Sequence, residues 1–223
     1  MRPGPAIMQG RHARLERLEA AAHGADLFRA NAASEAIWDY LPYGPFAEAA
    51  AYLEWINQDW AARDTLFYAV KDRASGHFAG VASFLRIAPE AGSIEVGHIN
   101  FAPELQRSRA ATEAIFLMMQ WVFEAGYRRF EWKCDARNRG SRAAAQRFGF
   151  SYEGIFRQAA VVKGRNRDTA WFAMIDREWP ALRAAFERWL APENFDAAGR
   201  QRLRLSDLTA GLRAADDPAL AAG

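Results

Sequence analysis

Apolar and polar residues follow regular spacings over most of this chain, and these spacings predict its secondary structure. Residues 129–135 alternate strictly, with Phe130, Trp132 and Cys134 on one face and charged residues on the other, as in a half-buried strand. Residues 110–124 are instead apolar on nearly every side, which is typical of a helix packed between other elements. The pattern therefore predicts a chain that mixes buried strands with buried helices.

The same spacings predict the order of elements along the chain. The predicted strands are residues 11–18, 65–71, 77–87, 93–101, 129–135, 150–162 and 168–175. The predicted helices are residues 19–31, 47–60, 110–124, 141–147 and 177–190. The strand–helix–strand order over residues 93–135 normally makes its two strands parallel, because a helical crossover returns the chain in the same direction.

Composition and charge describe a folded chain of the size of a small enzyme. Of its 223 residues 51% are apolar, which suffices for the core of one domain. A net charge of +2 gives no reason to expect a nucleic-acid or membrane partner. The single cysteine, Cys134, excludes an internal disulfide and favours a reducing compartment. No signal peptide or apolar stretch of membrane-spanning length is visible, so we expect a cytoplasmic protein.

The most informative segment is a strand that runs into a helix through a short basic arm. The strand ends near Phe101, the arm contains Arg107 and Arg109, and the apolar helix begins at Ala110. Such a junction points several backbone N–H groups, and the positive end of the helix dipole, at one place. This arrangement favours a bound phosphate group.

This segment resembles motif A of the GCN5-related N-acetyltransferases (GNAT), and within them the RimJ/RimL-like branch. Arg109 stands at a position where the family has glycine, although a guanidinium beside a diphosphate adds charge-assisted hydrogen bonds. The resemblance implies that acetyl-CoA is the co-substrate, that the arm holds its diphosphate, and that the main chain at Asn100 and Phe101 bonds to its pantetheine arm. The candidate residues of the arm are Gln106, Arg107, Ser108, Arg109, Ala110 and Ala111.

A second motif, Asn138-x-x-Ser141, is similar to motif B of the same family. The resemblance implies that Asn138 meets the pantetheine amides, that the Ser141 hydroxyl protonates the departing thiolate, and that Arg142 borders the phosphates. Many relatives use a tyrosine as this acid, and this chain has Ala145 at that position. A serine in the first turn of a short helix is also a common cap. Capping alone and acid catalysis are therefore two open interpretations of Ser141.

Acyl transfer also needs a group that takes the proton of the attacking amine, and Glu95 and His98 are the candidates. By the resemblance they flank Gly97 beside the thioester, where relatives often have a bulge that frees an N–H for the carbonyl. The structural alternative is a solvent-facing strand glutamate and a hydrogen-bonded histidine without a catalytic role. RimL-like enzymes have a further glutamate where this chain has Ala160, so the choice of base stays open.

The aromatic segment 38–46 contains the candidates for binding the acceptor amine. They are Trp38, Tyr40, Tyr43 and Phe46. Analogy with the family favours a binding loop, and packing of these rings into the core is the alternative. No metal site is expected, because the histidines lack the spacing of metal ligands, and Cys134 is expected to pack rather than to react.

The resemblance and the predicted elements together imply an α/β (α+β) GNAT fold in residues 1–190. Its sheet is expected to be mixed, mostly antiparallel and six- to seven-stranded, with a central splayed parallel pair and flanking helices. Residues 191–223 are expected to form a C-terminal extension that is frayed or disordered from about Thr209.

The expected activity is transfer of an acetyl group to a primary amine, on a protein N-terminus or a small molecule, by direct attack in a ternary complex. The alternative is a CoA-binding regulatory or ribosome-associated module on the same fold whose catalysis has decayed. A homodimer remains open, and nucleic acid is not an expected partner.

Overall fold

The computed structural model describes residues 4–58 and 64–221 of the chain. Contacts between Cα atoms divide the chain into two compact units. The first unit contains Met1–Pro89 and Ile94–Trp121, and the second contains Glu90–Ser93 and Val122–Gly223. In the part of the chain that the structure describes, no helix is both long enough and apolar enough to cross a membrane.

Within the described residues, eight strands belong to the sheet of the fold. The strands are β1 (Ile7–Gln9), β2 (Ala13–Arg17), β3 (Thr65–Asp72), β4 (Phe78–Ala88), β5 (Ser93–Phe101), β6 (Arg129–Asp135), β7 (Ser151–Val162) and β8 (Arg165–Ile175). The α-helices are α1 (Ala20–Asn31), α2 (Ala49–Ile56), α3 (Arg109–Glu124), α4 (Arg139–Arg147), α5 (Trp179–Leu190), α6 (Leu205–Thr209) and α7 (Pro218–Ala221).

In the first unit the strands follow the order β1-β2-β3-β4-β5, and the first three neighbouring pairs are antiparallel. Leu15 of β2 lies opposite Val70 of β3, and neither side chain is exposed to solvent. An aromatic core that includes Tyr52, Trp55 and Phe67 packs together α1, α2 and β3. The alternation of the strands therefore directs one apolar face of the sheet against these helices.

In the second unit the order is β6-β8-β7, and both pairs are antiparallel. Trp132 of β6 lies opposite Phe172 of β8, as the alternation of residues 129–135 predicts. The β7–β8 hairpin closes through Lys163 and Gly164, whose φ angles are +47° and +73°. Two successive left-handed residues are what a two-residue hairpin turn requires, so the turn is shorter than the predicted five-residue connection.

The sequence-based prediction missed one strand and placed some helix ends differently. Strand β1 was not predicted, because three residues are too few to show a repeating pattern, and its pairing with β2 brings the sheet to eight strands instead of six to seven. Helix α2 spans Ala49–Ile56. The last two residues of the predicted helix 47–60 lie outside the described residues.

The C-terminal segment packs onto the second unit, which differs from the expected frayed end. Asp217 is fully buried and accepts hydrogen bonds from Arg142 Nε at 2.6 Å and Arg142 Nη2 at 2.5 Å. Thr209 is also fully buried, and its hydroxyl donates to the Arg147 carbonyl at 3.1 Å. The alanine-rich composition suggested disorder, but this charged pair and these hydrogen bonds attach residues 209–217 to α4.

Candidate active site

The arm between β5 and α3 is held against β4 by a close approach of the backbone. The amide of Ala102 donates to the Ala79 carbonyl at 2.9 Å, and Leu105 is fully buried. A Cβ at Gly80 would lie 2.5 Å from Leu105 Cδ2 and 2.6 Å from Phe101 Cδ1. Gly80 therefore leaves the space in which the arm packs, and a larger residue there would displace it.

The first turn of α3 is capped by Ser108, whose Oγ accepts from the Ala111 amide at 2.9 Å. The side-chain amide of Gln106 donates back to the Phe101 carbonyl at 2.8 Å. Thr112 Oγ1 donates to the Ser108 carbonyl at 3.2 Å. The Ser108 hydroxyl and the Gln106 side chain thus stabilise the junction between β5 and α3. The junction fixes the direction in which the N-terminus of this sixteen-residue helix points.

The left-handed residue of the arm is Arg107, with φ of +60°. Arg109, at the position where the family has glycine, is the first residue of α3 and has helical backbone. A helical residue needs no glycine, since side chains are tolerated at negative φ. The geometry therefore removes the steric objection that the sequence raised against Arg109.

Glu113, one turn after Arg109 on α3, binds the turn between β1 and β2. Its carboxylate accepts from the amides of Arg11, His12 and Ala13 at 3.0, 2.5 and 2.6 Å. Burial lowers the pKa of His12, and the positive charges of Arg109 and Arg11 act in the same direction, against Glu113. Both signs of charge thus lie near His12 at the start of α3, and burial decides the direction of its pKa.

Of the two candidate bases on β5, Glu95 is 3% exposed and accepts from Arg86 Nη1 at 2.6 Å. Arg86 belongs to the neighbouring strand β4, and its positive charge balances the negative charge of the Glu95 carboxylate. The structure thus places Glu95 at a buried strand position, paired with an arginine whose side chain is 62% exposed.

His98 interrupts the regular strand, since its φ of +50° is rare for a residue with a side chain. Its Nδ1 lies 3.1 Å from the hydroxyl of Tyr43, and its ring centroid lies 5.0 Å from that of Phe67. Burial raises the pKa of Tyr43 well above its usual value of 10, so this hydroxyl stays neutral. Sparsely populated backbone of this kind costs about 1–3 kcal/mol and is concentrated at functional sites.

The four aromatic candidates of segment 38–46 separate into different environments. Trp38 is 4% exposed and packs edge-on against Phe46, so it belongs to the core. Tyr43 stacks on His98 with 5.6 Å between ring centroids. Tyr40 is 39% exposed. Among the four, the structure brings Tyr43 next to a candidate base.

In the second unit Asn138 is the N-cap of α4, and its Oδ1 accepts from the Ser141 amide at 2.9 Å. The cap interpretation of Ser141 is therefore wrong. The Ser141 hydroxyl contacts β6, where it accepts from Trp132 Nε1 at 3.0 Å. Burial raises the pKa of the Cys134 thiol to about 11, which a hydrogen bond with Ser141 partly opposes. A thiol with this pKa is almost entirely protonated at neutral pH, so it is a poor nucleophile.

Arg142 has a structural role in this unit. Besides Asp217 it binds the Ala136 carbonyl through Nη1 at 2.7 Å. The Nε and Nη2 atoms thus bind Asp217, and Nη1 binds the main chain. The hydrogen bonds with Asp217 raise the pKa of Arg142. The predicted contact of Arg142 with phosphate gains no support from this geometry. Within residues 4–58 and 64–221, no group of three or more His, Cys, Asp or Glu side chains forms a metal site.

Comparison with known proteins decides the family. Residues 13–151 match the family model described as an acetyltransferase (GNAT) domain. The chain belongs to the GNAT family. This confirms both the family resemblance and the fold class, a mixed α/β fold whose mostly antiparallel sheet contains a parallel pair and is flanked by helices. No curated protein matches the chain.

Solved structures of GNAT proteins are similar over most of the chain. A GCN5-related N-acetyltransferase from Brucella melitensis is 50% identical, with a TM-score of 0.90 over 93% of this chain and 96% of that chain. A probable acetyltransferase (GNAT family) from Chromobacterium violaceum ATCC 12472 is 46% identical, with a TM-score of 0.76 over 81% and 91% of the two chains. The Microcin C7 self immunity acetyltransferase MccE, in complex with acetyl-CoA and AMP, shares the fold at 22% identity, with a TM-score of 0.66 over 74% and 93%.

Two residues of this GNAT protein make contacts that its sequence did not predict. Glu113 and Trp132 make the side-chain contacts that hold the β1–β2 turn and the Ser141 hydroxyl. The spacing of Arg109 and Glu113, four residues apart on one helix, is a signal that these side chains share a face. No local pattern in the sequence identifies the partner of Trp132.

The position of Arg109 leads to a first prediction. Arg109→Gly should preserve the fold and change CoA affinity by about tenfold at most, because a charge-assisted hydrogen bond contributes about 1.5–3 kcal/mol and the relaxed arm that glycine allows offsets part of its loss. Isothermal titration with CoA measures the change. Arg109→Ala is the matched control, since it removes the guanidinium without adding glycine to the helix. Complete loss of binding in Arg109→Gly alone would contradict the prediction and show that the arm depends on helical stiffness at residue 109.

Proposed function

We propose that this GNAT protein transfers the acetyl group of acetyl-CoA to a primary amine, on a protein N-terminus or a small molecule, by direct attack in a ternary complex. The observation that carries the proposal is the Ser108-capped start of α3, with Arg107 and Arg109 beside it, in a chain of this family. A capped helix start flanked by cations fits the diphosphate of CoA. We also propose that the protein belongs to the RimJ/RimL-like branch. The single free thiol of Cys134, which is buried, supports a cytoplasmic location.

Several groups of the chain fit acetyl-CoA, which the MccE neighbour binds. The backbone amides at the start of α3 suit the diphosphate, as do the guanidinium groups of Arg107 and Arg109. Asn138 uses its Oδ1 as the cap of α4, so its side-chain NH₂ is the group that suits a pantetheine carbonyl. The main chain at Asn100 and Phe101 is proposed to bond to pantetheine, with the Phe101 carbonyl shared with Gln106.

On the amine side we assign His98 and Glu95 to proton removal. A neutral imidazole takes a proton at physiological pH, and the left-handed backbone at His98 turns its ring against Tyr43. Glu95, whose carboxylate also accepts from Arg86 Nη1 at 2.6 Å, is proposed to take the proton through water. Tyr43 and Tyr40 are proposed to contact the acceptor, with Trp38 and Phe46 supporting them from the core.

On the thiol side we assign Ser141 as the general acid. Its oxygen accepts from Trp132 and does not cap α4, and we assign its proton, which otherwise faces the weakly accepting sulfur of Cys134, to the departing CoA sulfur. The high pKa of Cys134 argues against an acyl-cysteine intermediate and supports direct attack by the amine. One argument for the alternative, a CoA-binding module whose catalysis has decayed, was that Arg109 replaces a glycine. Arg109 occupies a helical position where glycine is not required, so this argument is weakened.

The test of this function is thiol release from acetyl-CoA by the full chain. The panel of acceptors contains peptides with free N-termini, polyamines and small amino acids, and acetylated products are identified by mass. Thiol release that depends on one acceptor class supports the proposal. CoA binding without turnover on any acceptor would favour the decayed module instead.

A second prediction concerns the two candidate bases. His98→Ala and Glu95→Gln should each lower kcat/KM for the amine by about 10²–10⁴-fold, since general-base catalysis contributes on this scale, and leave KM for acetyl-CoA unchanged. A base must be deprotonated to act, so activity rises with pH through its pKa. Loss of the true base should remove this acidic limb from the rate–pH profile.

His77→Ala is the control for these variants, because it removes an imidazole that contacts the Asp26 carboxylate at 3.4 Å and has no proposed catalytic role. Wild-type profiles for both His98→Ala and Glu95→Gln would mean that bulk water takes the proton. The two residues would then have structural roles only.

A further inference from the structure

The hydrogen bond between Trp132 and Ser141 has an unambiguous direction. Trp132 Nε1 lies 3.0 Å from Ser141 Oγ, and an indole N–H donates but never accepts. Ser141 Oγ therefore accepts this bond with a lone pair, and the hydroxyl proton must point to another group. Its other partner is the Cys134 thiol, and sulfur is a weak acceptor.

Both ends of this bond are rigid. Trp132 is 5% exposed and packs between Phe148 and Phe150, with ring centroids 6.0 and 5.7 Å from its own. Asn138 fixes the backbone of Ser141 by accepting its amide. The hydroxyl oxygen is therefore held by the Trp132 N–H of β6, on a backbone that the cap of α4 fixes.

We propose that Trp132 is a positioning residue for proton transfer by Ser141, an inference that rests on the proposed function. When the C–S bond of the tetrahedral intermediate breaks, its electron pair stays on the CoA sulfur. The O–H bond of Ser141 then breaks, an S–H bond forms, and solvent water returns a proton to Ser141.

The Trp132 N–H stabilises the transition state of this proton transfer. Negative charge develops on Ser141 Oγ while its proton leaves, and a fixed N–H donor stabilises an oxygen anion more than a neutral hydroxyl. The bond therefore contributes mainly in the transition state. Its loss should reduce kcat and leave acetyl-CoA binding unchanged.

The test is Trp132→Phe, which keeps an aromatic ring and removes the N–H. We expect kcat to fall about tenfold, the effect of one hydrogen bond, with an unchanged KM for acetyl-CoA. In a Ser141→Ala background the same change should have no further effect on kcat, because the oxygen that Trp132 binds is gone. A packing role alone would lower kcat in both backgrounds, so the double-mutant cycle separates the two roles.

Trp189→Phe is the matched control. Trp189 is 3% exposed, and its Nε1 donates to Gln201 Oε1 at 2.8 Å, so its N–H serves a different acceptor from that of Trp132. It should lower stability as Trp132→Phe does and leave kcat unchanged. If Trp132→Phe does not fold, benzothienylalanine at residue 132, with sulfur in place of N–H, keeps the shape and tests the same bond.

Two results would overturn the inference and leave the proposed function intact. The first is wild-type kcat in Trp132→Phe while Ser141→Ala is impaired. The second is an equal loss of kcat in both backgrounds. Absence of thiol release from the wild-type protein with every acceptor would overturn the proposed function itself, and the inference with it.

Discussion

Replacing Ser141 by alanine is expected to lower kcat by about 10²–10⁴-fold and to leave KM for acetyl-CoA nearly unchanged. The hydroxyl transfers its proton only as charge builds on the departing sulfur, so its removal raises the barrier of the chemical step without weakening ground-state binding. Steady-state thiol release at saturating amine measures both constants.

Ser206→Ala is the control for this variant. Ser206 lies on α6 and its hydroxyl donates to Asp207 Oδ1 at 3.2 Å, so the same substitution is made in the same unit without touching Ser141. It should behave as wild type. A wild-type kcat in Ser141→Ala would contradict the prediction and mean that solvent protonates the thiolate.

Asp217→Ala is expected to lower the free energy of unfolding by about 3–5 kcal/mol, because it leaves the buried guanidinium of Arg142 without its carboxylate. The side chains of Arg142 and Asp217 are 9% and 0% exposed, so water cannot replace the lost partner at the same strength. Urea unfolding at neutral pH measures the change. The C-terminal segment should also become accessible to proteases, since this pair attaches it to α4.

The neighbouring Asp216 offers a matched control. It pairs with Arg213 Nε at 2.6 Å, but its side chain is 61% exposed. Asp216→Ala should therefore cost less than Asp217→Ala: the Arg213 side chain is 5% exposed, but its Nη1 keeps the Gln146 carbonyl as an acceptor at 3.2 Å when the carboxylate is removed. Equal losses for Asp216→Ala and Asp217→Ala would contradict the prediction, because they would show that burial does not determine the contribution of the pair.

Local patterns were sufficient for the frame of this fold. Residues 129–135 alternate because one face of β6 is buried, and residues 110–124 are apolar all round because α3 is packed on several sides. The basic arm between β5 and α3 was recognisable because a strand-to-helix junction has its own signals within a few residues. These features depend on neighbours in the sequence, so they can be predicted from it.

The boundary of α4 illustrates where such prediction ends. The sequence predicted a helix from Ser141, whereas α4 begins at Arg139 and is capped by Asn138. A shift of two residues decides whether Ser141 is a cap or presents its hydroxyl to β6. Helix ends are set by small differences in free energy that tertiary contacts change, so local propensity does not determine them.

The sequence by itself determined strands β2 to β8, helices α1 to α5 apart from their ends, and the basic strand-to-helix junction for which phosphate binding is proposed. Only the tertiary structure decided which side chains bond to one another across the fold. Glu113 accepts from the amide of Ala13, 100 residues away, and Arg142 donates to Asp217, 75 residues away. Trp132 and Ser141 lie nine residues apart on different elements. Contacts of this kind depend on how strands and helices pack, and packing is set by the whole core, so no spacing within a single segment encodes them.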